Sequence, residues 1–239
     1  MYWYLIAVVL AMVIWGVLFY ARRDLRIPAI WTGFSYMFFI IGTFILWKIL
    51  SIYFYLGEPI IPSYYNPDTL FNLANLTGGR CIEDLMFCFF GAGLAVFSYE
   101  FLFRKKINRK QIYSSHYLAL LVALGTLIFV WFLFKLNLIY LLIISSFVGA
   151  ACLWIDKKDL IEHSLIGGFS FMFIHVLLAV VLFNFLAPNL LSSFFNLSNV
   201  SRIVLLNVPL EEYLFAFTFG LMWAPLYEYF YGKRDVNIK

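Results

Sequence analysis

Charge is what this sequence has least of. Charged residues make up 13% of its 239 positions and hydrophobic ones 64%, which excludes an ordinary soluble domain and places the chain in the membrane class. Cysteine is scarce. Cys81, Cys88 and Cys152 form an odd set embedded in apolar stretches, with none of the close Cys/His spacing that ligates a metal. No glycine-rich phosphate loop is present, because Gly91-Ala92-Gly93 lies inside an apolar stretch and lacks both a third glycine and a preceding strand. An aspartate-rich magnesium motif is missing too. Neither metal nor nucleotide cofactor is therefore expected. The net charge of +4 is scattered over short loops, so nucleic acid finds no basic surface to bind.

What is abundant is hydrocarbon in span-length runs. About 20 mostly apolar residues cross a bilayer, and the sequence offers Trp3 to Tyr20, Ile27 to Tyr53, Cys81 to Phe103, Tyr117 to Phe134, Leu136 to Trp154, Ser164 to Leu186 and Pro209 to Tyr231. The fourth and fifth runs are separated only by Lys135 and its neighbours, which predicts a tight antiparallel hairpin. The first run lacks a basic leader and a small-residue cleavage site, so a retained span is expected. Basic residues favour cytoplasmic loops. Arg22, Arg23 and Arg26, then Arg104 to Lys110, then Lys157 and Lys158, then Lys233, Arg234 and Lys239 follow spans one, three, five and seven. This pattern predicts an integral protein of the cell membrane, amino terminus outside and carboxyl terminus cytoplasmic.

The chain also repeats itself. One constant offset lays Glu83 on Glu211, Asp84 on Glu212, Phe87 on Phe215 and Tyr99-Glu100 on Tyr227-Glu228. A second constant offset lays Arg22-Arg23-Asp24-Leu25 on Lys157-Lys158-Asp159-Leu160, and Gly33-Phe34-Ser35 on Gly168-Phe169-Ser170. Ordered matches of this kind signal an internal duplication. The expected fold is an all-α polytopic membrane protein of seven transmembrane helices. These form two parallel three-helix repeats, residues 1–112 and 136–239, related by a pseudo-twofold axis along the membrane normal. A linker helix, 113–135, joins them.

The acidic pairs are the candidates for chemistry. An ionisable side chain in hydrocarbon costs at least ~2.5 to 3.5 kcal/mol, so it reads as functional by default. Glu83-Asp84 and Glu211-Glu212 each open a phenylalanine-rich helix, where Asn207 can cap and Pro209 suits the first turn. A plain helix-start pair stabilised by the dipole is the competing reading. Consecutive helical residues point about 100 degrees apart, which leaves open which acid of each pair faces a site. A carboxyl group enclosed by apolar walls favours its protonated form and can serve as a general acid. Phe87, Phe215, Phe219 and Trp223 follow below the acids, and aromatic faces stabilise cations by up to ~2 kcal/mol each when desolvated. His175, mid-span and opposite Ile40 in the other repeat, is either a packed core histidine or a base near a cation. Glu100 and Glu228 are expected to pair with basic residues following on their own helices. Pro225 should kink the last span.

Two loops lead into the acidic pairs, from Gly57 to Gly79 and from Ala187 to Asn207. The proline- and asparagine-rich composition of the first predicts a cap and not a span.

Pro209-Leu210-Glu211-Glu212 heading a phenylalanine-rich helix, in a chain of two three-span repeats, resembles the membrane-embedded lycopene cyclases, which occur as paired small bacterial subunits or as archaeal and fungal tandem repeats. The resemblance implies an intramolecular lyase or isomerase of carotenoid biosynthesis that closes the acyclic ends of lycopene without redox chemistry. It implies that Glu211 and Glu212 form the acidic site of the second repeat, and Glu83 and Asp84 that of the first, where Cys81 stands in place of the motif's proline. Phe87, Phe215, Phe219, Trp223 and His175 would face the substrate. The partners expected are a lipophilic carotenoid or isoprenoid, the lipid bilayer and other enzymes of the pathway; no cofactor is implied. A proton- or ion-coupled transporter and a non-catalytic membrane subunit remain the rival readings, since repeats, intramembrane acids and a proline-broken helix also describe transporters.

Overall fold

The computed structural model describes residues 2–54, 60–103, 117–134 and 136–231. Its body consists of helices α1 (Trp3–Ala21), α2 (Arg26–Leu50), α3 (Ile82–Phe103), α4 (Leu118–Phe134), α5 (Leu138–Asp156), α6 (Ile161–Val180), α7 (Leu210–Trp223) and α8 (Leu226–Tyr231). The loop residues Arg104 to Lys110, Lys135 and the basic residues after Tyr231 lie outside the described residues, as do the side chains of residues 99–103, Glu100 among them.

The chain is an all-α membrane protein. Four segments, Trp3–Ala21, Arg23–Leu50, Leu138–Asp156 and Lys158–Leu186, are long and apolar enough to cross a bilayer, and Leu70–Thr77 with Ile82–Ser98 forms a further pair bent by 96°. The helices differ in detail, and the break expected at Pro225 is among the differences. At 17 residues α4 is short, about 26 Å at 1.5 Å per residue. The last span is broken between Trp223 and Leu226 at Ala224-Pro225, because proline cannot donate to the carbonyl one turn back. The sixth ends in a π-helical turn, Val181–Leu186, whose wider winding buries two successive residues, Leu182 and Phe183, on one side.

Packing follows one plan in each half: α3 lies between α1 and α2, and α7 lies between α5 and α6. Contact of α3 with α6 joins the halves, and α4 packs on α5. Glycine permits the closest crossings. A Cβ on Gly33 would meet the Phe89 carbonyl at 2.8 Å, and one on Gly220 would meet the Gly167 carbonyl at 2.6 Å and Gly168 Cα at 2.8 Å. The two Arg/Lys-rich segments matched in sequence also fold alike: Arg23–Leu25 and Lys158–Leu160 each form a single 3-10 turn leading into the next helix.

Glu228 is buried at 2% exposure and its carboxylate lies 3.3 Å from Nδ1 of His163 on α6, across the helix interface; the basic residues expected to pair with it, Lys233 and Arg234, lie outside the described residues. The broken last span has turned this position inward.

Above α3 and α7 the two long loops form a cap. Tyr65 pairs with Phe195 in an antiparallel bridge. The Asn66 amide donates to the Phe194 carbonyl, and the Asn196 amide to that of Tyr64, both at 2.8 Å. Asn137 and Asn199 both donate side-chain N–H groups to the Ser63 carbonyl, at 3.1 and 3.0 Å. The second loop ends in a small hairpin, β1 (Val204–Leu205) against β2 (Val208–Pro209), turning through Leu206 and Asn207 at φ 51 and 58. Two successive positive φ values match the right-handed twist of a two-residue hairpin. Asn207 is therefore a turn residue and does not cap α7; its amide donates to Asn184 Oδ1 at 3.0 Å. Asn184 in turn donates to the Leu206 carbonyl at 2.9 Å. Pro209 stands at the flanking position ahead of α7.

Candidate active site

The 100-degree step between helical neighbours gives the two members of each acidic pair different partners, in the same order in both halves. The first acid holds the cap. Glu83 accepts the Leu70 amide at 2.7 Å, and Glu211 accepts the Ser201 amide at 2.9 Å and the Tyr140 hydroxyl at 2.7 Å. Both carboxylates are buried, at 0% and 1% exposure, so these bonds replace water that the groups have lost.

The second acid faces a cavity. Asp84 Oδ1 accepts the hydroxyls of Tyr4 and Tyr65, each at 2.6 Å. Its Oδ2 lies 3.4 Å from Arg80 Nη1. Two hydroxyls and a guanidinium thus converge on this one carboxylate. Glu212 is arranged otherwise. Its Oε1 accepts the Tyr64 hydroxyl at 2.9 Å, and its Oε2 lies 2.7 Å from His175 Nε2, where either partner can carry the shared proton. The Glu212 and His175 side chains keep 14% and 12% of their surface, against 2% for Asp84. Burial, then the adjacent carboxylate, pushes the cap phenols Tyr64 and Tyr65 well above their ordinary range, so both remain O–H donors.

One cavity of about 150 Å³ contains Asp84 and Glu212 together with Arg80, Tyr4, Tyr64, Tyr65 and His175. Its remaining wall is apolar, including Phe87 from α3 and Phe215 from α7, Leu182 and Phe183 from the π turn, and Phe194 and Phe195 from the cap. His175 is ringed by aromatics, with the centroids of Phe87 and Phe171 at 5.9 Å and that of Phe215 at 6.3 Å.

Sequence reasoning placed Phe219 and Trp223 on this wall, and the structure moves them. Both are buried, at 2% and 1% exposure, and pack against Tyr36 at 4.7 Å, below the cavity and outside its lining. Phe219 lies one helical turn beneath Phe215, about 6 Å lower, which is enough to make it floor. Glu83 and Glu211 also stay out of the cavity. Tyr4, Tyr64, Tyr65, Tyr140 and Arg80 were missed; the only available signal was the tyrosine pair inside the proline-rich loop. Arg80 precedes α3 and reaches back to Asp84 one turn into the helix. Among the described residues no three His, Cys, Asp or Glu side chains gather as metal ligands.

Helices of membrane-spanning length, with carboxylates from α3 and α7 lining one largely apolar cavity, define an integral membrane protein with acid groups at a hydrophobic cavity. Comparison with known proteins makes the class specific. The family model described as lycopene cyclase matches residues 1–102 and 137–230, most of the chain, and the protein belongs to the lycopene cyclase family. No curated protein and no solved structure shows a significant match.

Proposed function

We propose that the protein is a membrane-embedded cyclase that converts acyclic isoprenoid ends, of the lycopene type, into rings by acid–base chemistry. One observation carries the reading: Asp84 from the first half and Glu212 from the second line the same aromatic cavity. The Glu212–His175 couple supplies a proton to the terminal double bond at its less substituted carbon, leaving a tertiary cation. One carbon of a nearby double bond then bonds to the cationic carbon and closes the ring, leaving the positive charge on the other carbon of that double bond. Loss of the adjacent ring proton to Asp84 forms the new double bond. Protons gained and lost by the substrate balance and no electrons are transferred, so the reaction is an isomerisation. Phe87 and Phe215 face the cation, and each ring contributes up to ~2 kcal/mol when desolvated. Tyr4, Tyr65 and Arg80 hold Asp84 in the orientation that accepts.

The reading includes the orientation drawn from the basic loops, with the capped end outside and the carboxyl terminus cytoplasmic. It also includes the division into two three-helix repeats, 1–112 and 136–239, around the 113–135 linker. Glu83 and Glu211 support the site by anchoring the cap. A proton-coupled carrier would need a polar path beyond the cavity, and the buried rings of Tyr36, Phe219 and Trp223 weigh against one. The test is pigment analysis of a lycopene-accumulating host. The wild-type chain should yield cyclic product, and Glu212→Gln and Asp84→Asn should each lower it by ~10²-fold or more. Undiminished cyclic product from both variants removes the assignment.

A further inference from the structure

An apolar cavity of about 150 Å³ accommodates one benzene-sized ring. A long polyene whose end occupies it must leave through a wall. The capped end is closed by the hydrogen-bonded Tyr64–Asn66 and Phe194–Asn196 segments, and the opposite end by Tyr36, Phe219 and Trp223. One side wall, from α2 and α5, is sealed: Tyr36, Ile40, Ile139 and Leu142 line the cavity and are all buried. The facing wall, from α1 and α6, is not. Ala7, Leu10, Leu178 and Ala179 line the cavity and are only half-buried. Their outward neighbours Val13, Phe173 and Leu177 are exposed and apolar, as surfaces facing lipid are.

We propose that the seam between α1 and α6 is a lateral portal to the bilayer, lined by Ala7, Leu10, Leu178 and Ala179. During turnover it holds the polyene chain of the substrate whose end lies between Asp84 and Glu212. The occupant rests on the cyclase reading; the portal itself rests on the unequal side walls. An apolar guest dissolved in the bilayer reaches the acids through this seam without crossing the hydrogen-bonded cap.

Photolabelling in lipid nanodiscs tests the portal without relying on turnover. A long-chain alkyl diazirine dissolved in the bilayer should place adducts on Phe87 and Leu182 inside the wild-type cavity. Ala7→Trp and Ala179→Trp, which fill the seam, should lower those adducts by about tenfold or more. Leu178→Ala should raise them. Adducts on the lipid-facing Val13 and Val17 should stay unchanged in all variants, which establishes that the variants are folded. Cavity adducts absent from the wild type, or undiminished in both tryptophan variants, overturn the portal. Lycopene conversion in the same nanodiscs separates the two ideas. Seam-dependent labelling without cyclic product leaves the portal standing and removes the cyclase, whereas wild-type cyclisation rates in both tryptophan variants do the reverse.

Discussion

Replacing Glu212 and Glu211 separately by glutamine distinguishes a proton donor from a tether one residue away. At Glu212 the substituted amide keeps an oxygen for the Tyr64 hydroxyl and places an N–H₂ opposite His175. The geometry survives while the acid is lost. A positioned general acid contributes ~10²–10⁴-fold, about 2.7–5.4 kcal/mol of barrier, and turnover should fall by that factor with little loss of fold stability. At Glu211 the amide oxygen still accepts from Ser201 and Tyr140, but both bonds change from charge-assisted to neutral. That change removes about 1–2 kcal/mol per bond, and the deficit belongs to stability. Glu211→Gln should therefore unfold at lower temperature in detergent while keeping its turnover within about tenfold of wild type at a permissive temperature. Initial rates of lycopene loss by liquid chromatography, read beside intrinsic-fluorescence melts, give both quantities. Equal loss of turnover in the two variants, with no difference in melting, would refute the division of labour within the pair.

Arg80→Gln, which removes the cation beside Asp84, should lower kcat by about tenfold or more with little change in KM, measured in the same chromatographic assay. Asn184→Ala removes side-chain hydrogen bonds that fix the hairpin turn; it should cost about 1–3 kcal/mol, visible as faster hydrogen exchange at residues 204–209. Gly220→Ala forces a methyl against Gly167 and Gly168 and should destabilise the α6/α7 crossing by about 1–3 kcal/mol, with the melt lowered and cyclisation retained in the folded fraction. Because one cavity contains both acids, one ring should form per binding event. A time course should then pass through a released one-ring product, and direct appearance of the two-ring product alone would count against a single composite site.

The membrane class, the helical segments and the acidic pairs were legible in the sequence for one reason: hydrocarbon makes charge expensive, so each carboxylate inside an apolar run is conspicuous. Repetition made it more so, since Glu83-Asp84 and Glu211-Glu212 recur with the same downstream phenylalanines. His175 was also legible, as a polar break in an apolar helix opposite Ile40. What each acid does was not. Glu211 and Glu212 look equivalent in sequence, and the packing of α7 between α5 and α6 decides which one meets Ser201 and which one meets His175. The partners of Asp84 escaped because Tyr4 is 80 residues away and Tyr65 reaches it from the cap; a tyrosine carries no mark of what its hydroxyl will donate to.

By itself, then, the order of residues determined that the chain occupies a membrane as helices, that acidic pairs recur in it, and that these four acids sit within apolar stretches. Only the tertiary structure decided that two of those acids share a cavity, and that Phe219 and Trp223 lie beneath it. The physical reason is that hydrophobicity and charge are properties of single residues, whereas facing and enclosure arise only when helices pack at a particular rotation and depth.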